Sequence, residues 1–254
     1  IATTVGGVFS EDGERGNVRG ARSDQTVMYI DGIKVLGSTS LPQSSIEQVA
    51  VYLGGLPALY GDARGGVINV TTKGPSGTFG AGVELEQSVD GFGHSRLGFN
   101  LQGPILKSKN ESSNSILGYF ISGDAYYNKD SRPTANGVYV ANDETQNSIE
   151  QNPLTPSGLA GGGTYSSGEF VRYADLNNQK TNPNVSRYGV NLSGKIDIKP
   201  SNSTNFTIGG QYNYDNGNVY NYNQTMFNSD KNFLQLNQSW RVFGRFTQRF
   251  ANSS

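Results

Sequence analysis

The chain has 254 residues with 20 Lys and Arg against 21 Asp and Glu, and this formal net charge of −1 argues against non-specific binding to nucleic acid. It contains no cysteine and one histidine, which excludes disulfide scaffolds, thiolate metal sites and cysteine catalysis. The mean hydropathy of −0.51 and the lack of any long apolar run exclude a membrane-spanning helix. A transmembrane β-barrel is compatible with both, because its strands alternate lipid-facing apolar residues with lumen-facing polar ones.

Residues 1–76 predict an α+β module of short elements. The clearest element is a hairpin over residues 26–35, in which two apolar strands flank a turn at Asp31 and Gly32. The other expected elements are, in chain order, one short helical turn with a Ser cap at residues 42–49, a strand at residues 49–53 and a strand at Gly66–Thr72.

From about residue 78 the sequence alternates apolar and polar residues with a period of two, which predicts strands with two different faces. In the cleanest segment Tyr188, Val190 and Leu192 alternate with Asn191 and Ser193. Four of the six segments span ten residues or more, the length that a tilted strand needs to cross a bilayer. The six segments lie at residues 83–89, 96–102, 117–127, 187–199, 205–214 and 240–250.

A soluble antiparallel sandwich, such as an adhesin, would show the same alternation. Its strands, however, most often run only about five or six residues. The segments found here are longer and carry Tyr, Trp or Phe near their ends, as the aromatic girdles of a membrane barrel require. The pattern therefore favours a membrane barrel over a soluble sandwich.

The connections between the predicted strands differ in length. A tight turn falls at Asp90 and Gly91, residues 104–115 form a polar connection, and two long loops fall at residues 130–183 and 216–235. Long loops of outer-membrane barrels face outside the cell, so the two long loops are predicted to be extracellular. The first of them carries six acidic and three basic residues, which weighs against a strongly anionic ligand.

Tyrosines on the two long loops are candidate contacts for a ligand. Their rings could stack on sugars or on peptide side chains, or they could belong to the aromatic belt and a hydrophilic loop. The candidate substrate-binding residues are Tyr165, Tyr173, Tyr220 and Tyr222.

Motifs for catalysis are absent from the sequence. His94 has no Ser-His-Asp context, and neither a nucleophile elbow nor a P-loop sequence occurs. Gly161-Gly162-Gly163 is not followed by Lys-Ser or Lys-Thr, and the oxygen-rich runs that start at Asn142 and Asp215 do not follow the EF-hand spacing. We therefore predict no enzyme, with no catalytic residue, no cofactor and no metal site.

The stretch from Tyr60 to Lys73 resembles the end of the plug domain of a TonB-dependent receptor. In that family an Ile-Glu-x-Val strand leads through a Gly-containing loop to Tyr-Gly and then to Gly-Gly-Val-Ile-Asn-Val-Thr-Lys. The matching runs here are Ile46-Glu47-Gln48-Val49, Gly54-Gly55, Tyr60-Gly61 and Gly65-Gly66-Val67-Ile68, preceded by Val18-Arg19-Gly20 and Tyr29-Ile30-Asp31-Gly32. The run from Gly54 to Asp62 is most similar to large receptors of Bacteroidota that carry a carboxypeptidase-regulatory-like extension.

The resemblance implies a mainly β fold. An α+β plug would occupy residues 1–76, and residues 77–254 would hold the first six or so antiparallel strands of a transmembrane barrel of about 22 strands. A module of the plug's size has a radius of gyration of about 11 Å and does not fit inside six or eight strands. We therefore expect the chain to be the N-terminal part of a larger barrel, with the segment that recruits TonB lying before residue 1.

The resemblance also implies a function. The protein would be an integral outer-membrane transporter that binds a bulky nutrient at its extracellular loops, an oligosaccharide, a peptide or a chelated metal, and imports it through a plug-gated barrel. The TonB complex in the periplasm would power the import, and a surface lipoprotein or other outer-membrane proteins are further candidate partners. The alternative is a receptor-like barrel without transport that acts as a structural or docking subunit of an outer-membrane assembly.

The plug motif supplies the remaining candidate site residues. By resemblance, Arg19, Asp31 and Arg64 are expected to make polar contacts of the plug, and Gly65 and Gly66 to permit close approach to the barrel wall. The full set is Arg19, Gly20, Asp31, Gly32, Tyr60, Gly61, Arg64, Gly65 and Gly66.

Overall fold

The structure is a computed structural model. It describes residues 6–9, 17–18, 20, 25–35, 41–55, 58–61, 63, 65–107, 115–201 and 203–250. Within these ranges no helix combines the length and the hydropathy needed to cross a membrane.

The first 76 residues hold short strands. Their bounds are β1 (Val8–Phe9), β2 (Asn17–Val18), β3 (Thr26–Ile30), β4 (Ile33–Lys34), β5 (Ile46–Tyr52) and β6 (Gly66–Thr72). β1 pairs with β2, and the other four form a sheet in the order β4-β3-β6-β5. Only the β3–β6 pairing in that sheet is parallel, and it brings residues about 40 positions apart in the chain side by side.

The predicted Asp-Gly hairpin is confirmed. β3 and β4 pair antiparallel, with Ile30 opposite Ile33. Asp31 has φ 53° and Gly32 has φ 76°, both in the left-handed region. A two-residue turn with two left-handed positions suits Asp-Gly, because its twist matches that of the flanking strands.

Apolar side chains cover both faces of the four-stranded sheet. Successive side chains of a strand point to opposite faces, so neighbouring residues belong to two different clusters. One cluster contains Ile30, Val35, Ile68 and Val70. The other contains Tyr29, Tyr60 and Val67. The sheet is thus buried on both faces.

The predicted helical turn at residues 42–49 is wrong in its second half. A 3-10 turn covers only Gln43–Ser45, and β5 begins at Ile46. The backbone from Ile46 onwards is extended because β5 pairs with β6, where Val49 lies opposite Val70. In the described residues before residue 77 the helical component is limited to 3-10 turns.

Six long strands follow, and a large connection separates the third from the fourth. The first three are β7 (Gly80–Gln87), β8 (His94–Lys107) and β9 (Ser115–Asn128). The connection holds β10 (Val138–Ala141), α1 (Asp143–Gln151), β11 (Leu154–Pro156), β12 (Thr164–Ser166) and β13 (Leu176–Gln179). The last three long strands are β14 (Arg187–Ser201), β15 (Thr204–Asn218) and β16 (Leu234–Gln248).

The six long strands form one antiparallel sheet in the order β16-β15-β14-β9-β8-β7. We call this sheet the strand wall. It confirms the six segments of period two, and its longest strands have 15 residues, more than a tilted strand needs to cross a bilayer. The expected polar connection at residues 104–115 is wrong at its start, because residues 104–107 continue β8 with irregular pairing to β9.

The two faces of the strand wall differ in polarity. One face carries large exposed apolar side chains, including Leu85, Trp240 and Val242, each at least 70% exposed. Lipid contact accounts for such a face in a membrane barrel. The other face carries polar and charged side chains and contacts the module formed by the described part of the first 76 residues, which we call the plug after the resemblance given above. The antiparallel order puts the turn at residues 88–93 and both long loops at the same end of the wall.

Candidate functional site: the contact between plug and strand wall

The turn at Asp31 is bound to both the plug and the wall. Within the plug, Asp31 Oδ1 accepts a hydrogen bond from the Thr72 backbone N–H at 2.9 Å, and Asp31 Oδ2 accepts one from Thr72 Oγ1 at 2.8 Å. From the wall, Lys195 Nζ donates to Asp31 Oδ1 at 3.0 Å and to the Thr72 carbonyl at 2.9 Å. The β3–β4 turn, the end of β6 and strand β14 therefore meet at one point.

This ion pair is shielded from solvent. The side chain of Lys195 is 10% exposed and that of Asp31 is 6% exposed. A buried charge without a partner costs several kcal/mol, whereas a buried pair with further hydrogen bonds offsets much of that cost. Lys195 reaches the plug because it occupies a polar-face position of β14, in register with Gly209 of β15, which has no side chain to intervene.

Two arginines of β16 approach the same turn. Arg241 Nη2 donates to the carbonyls of Ile30 at 3.0 Å and Ile33 at 3.3 Å. Arg245 Nη2 lies 2.9 Å from the point where a Cβ on Gly32 would be. The wall thus directs three cationic side chains at one hairpin turn of the plug.

A second contact joins the plug to β8. Arg96 Nη2 donates to Gln43 Oε1 at 3.0 Å, and Ser44 Oγ donates to the Phe99 carbonyl at 3.3 Å. Arg96 also forms ion pairs with Glu84 at 2.9 Å and Glu86 at 3.2 Å, both on β7. This contact is more exposed and less charged than the one at Asp31.

Polar side chains cross the inner face of the wall in rows that follow the strand register. Asn191 Nδ2 donates to Asp124 Oδ2 at 2.9 Å, Asn213 Nδ2 donates to Asn191 Oδ1 at 2.9 Å, and Ser239 Oγ donates to Asn213 Oδ1 at 3.2 Å. One row farther from the plug, Arg187 pairs with Asp215 at 2.7 Å. The wall above the plug is a network of neutral amides and compensated charges.

Another row on this face contains buried polar atoms without a protein partner in the described part of the chain. They are Ser122 Oγ, Gln211 Oε1 and Arg241 Nη1. Polar groups in such places bind ordered water in most proteins. The surface between plug and wall is therefore polar.

The candidate plug residues fall in different environments. Arg19 and Arg64 lie outside the described residues, and Gly20 has φ 76° with open space around it. Tyr60 is a packing residue: its ring centroid lies 4.8 Å from that of Tyr29. Burial is the largest of the effects that raise the pKa of Tyr60, and the neighbouring Tyr52 and Tyr29 raise it further.

Within the plug motif, Gly66 packs closely against another strand of the plug. A Cβ on Gly66 would lie 2.7 to 2.8 Å from three side-chain atoms of Val18, which is fully buried in the plug. The close approach at Gly66 is thus to β2 of the plug, and the expected approach of Gly65 and Gly66 to the barrel wall stays a prediction. Gly65 donates its N–H to the Gln25 carbonyl at 3.1 Å, and a Cβ on Gly61 would make an ordinary contact.

The four loop tyrosines are not brought into one cluster. Tyr165 packs against Phe170 with ring centroids 5.7 Å apart, and Tyr173 lies 5.6 Å from Tyr139. The hydrogen bond with Tyr139 raises the pKa of Tyr173. On the other long loop, Tyr220 is half-buried and Tyr222 is 81% exposed. Among the described residues no ring contact links these four tyrosines to each other.

Hydrogen bonds give the long loops a defined base. Asp130, which is buried, accepts hydrogen bonds from the Asn182 backbone at 2.7 Å, from Asn182 Nδ2 at 3.0 Å and from the Arg132 backbone at 2.9 Å. The two long loops are joined by bonds such as Asn184 Nδ2 to the Ser229 carbonyl at 2.8 Å. Lys180 Nζ reaches the carbonyl of Asp90 in the β7–β8 turn.

Sequence reasoning missed several residues of this site. The period of two puts Lys195 on the same polar face as Asn191 and Ser193, but no local signal links it to Asp31. Helix α1 was missed although a signal existed: Asn142 Oδ1 caps it by accepting from the Thr145 N–H at 2.8 Å, and Asp143 and Glu144 follow in the first turn. The run at Asn142 is therefore a helix start.

Comparison with known proteins identifies the plug. Residues 2–67 match the family model of the TonB-dependent receptor plug domain. TonB-dependent receptors interact with TonB, reside in the outer membrane as β-barrels and are transporters rather than enzymes. No curated protein sequence matched the chain.

Two solved receptor structures have the same fold as the described chain. The FpvAI–pyocin S2 complex matches 96% of this chain with a TM-score of 0.57 and 14% identity. P. aeruginosa FpvA bound to heterologous pyoverdines matches 97% with a TM-score of 0.55 and 14% identity. The chain spans 29% and 28% of the lengths of these two receptors. Residues 2–67 therefore match the plug domain of TonB-dependent receptors, and the strands that follow have the fold of these two receptor structures.

Proposed function

We propose that the protein is an integral outer-membrane transporter that binds a bulky nutrient at its extracellular loops and imports it through a plug-gated barrel, powered by the TonB complex. The observation that carries the proposal is the bond from Lys195 to Asp31 and Thr72, which seats the plug against the polar face of the strand wall. We assign residues 1–76 to the plug and 77–254 to the barrel, and we assign no catalytic role.

The chemistry of the plug–wall surface supports a movable plug. Separating apolar surfaces in water costs about 25 cal/mol for each Å² exposed. Polar surfaces cost far less to separate, because water replaces the hydrogen bonds that are lost. The wall meets the plug with Lys195, Arg241 and Arg96, all hydrogen-bonded to it, and this arrangement holds a plug in place while allowing it to move.

The loops support a large ligand. The connection between β9 and β14 is folded, is tied at its base by Asp130, and exposes Tyr173 and Phe170. Exposed aromatic rings next to neutral amides suit a cargo with both apolar and hydrogen-bonding surface. We propose Tyr165, Tyr173, Tyr220 and Tyr222 as ligand contacts on the loops.

Uptake in cells tests the proposal. The gene is deleted, and uptake is measured for three labelled probes: a ferric pyoverdine, a maltooligosaccharide and an oligopeptide. The ferric chelate is included because FpvA was solved with pyoverdine and iron bound. We expect uptake of one probe to fall at least tenfold in the deletion strain, to fall equally when TonB is deleted, and to return on complementation.

Two loop variants refine the test. Tyr173→Ala and Tyr222→Ala should weaken binding of the transported probe about fivefold or more, whereas Tyr60→Phe, in the plug core, should leave binding unchanged. Uptake that is unchanged for every probe in the deletion strain would contradict transport and favour the docking subunit.

A further inference from the structure

Two of the contacts between the plug and the described part of the strand wall differ in chemistry. We call the first the anchor contact, made by Asp31, Thr72, Lys195 and Arg241. We call the second the side contact, made by Gln43, Ser44, Arg96 and Phe99. The anchor contact lies on β14 and β16. The hydrogen bonds of the side contact go to β8, and its turn at Gln43–Ser45 lies near both β8 and β9.

The bonds of the anchor contact are charge-assisted. Lys195 donates two hydrogen bonds to the plug and Arg241 donates two more, at 2.9 to 3.3 Å. Bonds with an ionised partner are about twice as strong as neutral ones, and the low exposure of Asp31 and Lys195 reduces screening by solvent. The side contact has two bonds: Arg96, itself only 11% exposed, bonds to the exposed Gln43, and the other bond joins neutral partners.

The two contacts also differ in what separation leaves behind. If Arg96 loses Gln43, it keeps its ion pairs with Glu84 and Glu86 on the wall. If Lys195 loses the plug, it keeps no hydrogen-bond partner among the described residues. Separation at Lys195 breaks an ion pair and a further charge-assisted bond and transfers the ammonium group to water, whereas separation at Gln43 leaves Arg96 in its ion pairs on the wall. Separation at β8 is therefore the easier of the two.

We infer that the Asp31–Gly32 turn is the fixed point of the plug, held by Lys195 and Arg241, and that the plug separates from the wall first at Gln43–Ser45. Movement about this point opens the lumen on the side of β7 and β8, where Glu84, Glu86 and Arg96 line the wall. The inference rests on the proposed function, since it assigns a direction to the opening of the same gate.

Hydrogen exchange tests the inference without any cargo. The complete protein is prepared in detergent, and exchange is followed by mass spectrometry for a peptide spanning Asp31 and a peptide spanning Gln43. In the wild type, we expect the amides around Gln43 to exchange at least tenfold faster than those around Asp31. Lys195→Met should raise exchange around Asp31 at least tenfold, and the matched variant Arg96→Met should raise exchange around Gln43 less than threefold.

Further variants keep the test decisive. Lys195→Arg retains the charge and should keep slow exchange around Asp31. Asp31→Asn keeps the shape of the turn and removes the charge. It should raise hydrogen exchange around Asp31 as Lys195→Met does, and it takes the place of Lys195→Met if that variant does not assemble. The inference is overturned if exchange around Asp31 is the faster in the wild type, or if Arg96→Met has the larger effect. Because no cargo is involved, a failure of the transport proposal leaves this result unaffected.

Discussion

Lys195 Nζ lies 3.0 Å from Asp31 Oδ1, although 164 positions separate the two residues in the chain. The same ammonium group also binds the Thr72 carbonyl, so one wall side chain holds two separate strands of the plug. Asp31 can face the wall because the hairpin turn puts it in a left-handed conformation at the end of β3. The position of the plug is thus tied to a local turn and one lysine.

The Thr72 hydroxyl is expected to stabilise the Asp31 turn. Thr72→Val removes the 2.8 Å bond to Asp31 Oδ2 and keeps the backbone bond and the side-chain shape. Because the acceptor is charged, the plug should lose about 1.5–3 kcal/mol of unfolding free energy. Urea unfolding of the detergent-solubilised protein, read by exchange at plug amides, measures the loss.

Thr71→Val is the matched control for this substitution. Thr71 directly precedes Thr72 in β6 and is only half-buried. Its side chain makes no hydrogen bond within the described part of the chain. Its replacement should change the free energy by less than about 0.5 kcal/mol. Equal effects of the two substitutions would show that the hydroxyl of Thr72 is not stabilising.

Gly66 is expected to tolerate no side chain. Gly66→Ala puts a methyl group within 2.8 Å of Val18, which is fully buried and cannot retreat into solvent. Overpacking of this kind costs about 1–3 kcal/mol. Thermal unfolding of the plug, followed by calorimetry, should show the loss.

A second-site change tests the cause of that loss. Val18→Ala removes two of the three crowding atoms and should restore part of the stability of Gly66→Ala. Gly61→Ala should cost less than about 1 kcal/mol, because its new methyl group would contact Ala58 at an ordinary distance. If Val18→Ala lowers the stability of the Gly66→Ala variant further, crowding against Val18 is not the cause of the stability lost in Gly66→Ala.

The tyrosine cluster predicts a loss of plug stability at alkaline pH. The pKa of Tyr60 is raised from 10.0 in the folded protein, so the folded state holds its proton more tightly than the unfolded chain. The stability that the protonated Tyr60 contributes to the folded plug is therefore fully present below pH 10 and is lost as the pH rises above it. Melting temperatures of the wild type measured from pH 8 to pH 11.5 should fall above pH 10.

Tyr60→Phe is the control for this pH dependence. The variant keeps the aromatic packing against Tyr29 and Tyr52 but has no proton to lose at this position. Its melting temperature should fall less steeply above pH 10 than that of the wild type. If the melting temperatures of the two proteins fall in parallel above pH 10, Tyr60 is not the source of the pH dependence.

Asp130 is expected to hold the base of the long loop between β9 and β14. Asp130→Ala removes three hydrogen bonds to a charged and buried acceptor, and the loop base should lose about 2–4 kcal/mol. Limited proteolysis of the detergent-solubilised protein should then cut within residues 131–181 faster than in the wild type. Asp143→Ala, at an exposed position of the same loop, should leave the cleavage rate nearly unchanged; equal acceleration by both variants would argue against a special role for Asp130.

Patterns that depend on neighbouring residues could be predicted from the sequence. The alternation of Tyr188, Asn191 and their neighbours fixed the two faces of β14, because the side chains of any strand alternate. Asp31 and Gly32 specified the hairpin, because few residues tolerate two left-handed positions in succession. The plug motif likewise depends on order and spacing along the chain, and its family match at residues 2–67 agrees with it.

Only the tertiary structure decided which distant residues meet. The pairing of Lys195 with Asp31 depends on the registers of β14 against β9 and β15, and on where the plug lies along the wall. The same holds for Gly66, whose nearest side-chain atoms are those of Val18 in β2. A local sequence pattern predicts which face of a strand a side chain occupies. A contact between the plug and the wall depends on how many strands pack together, and no local pattern contains that information.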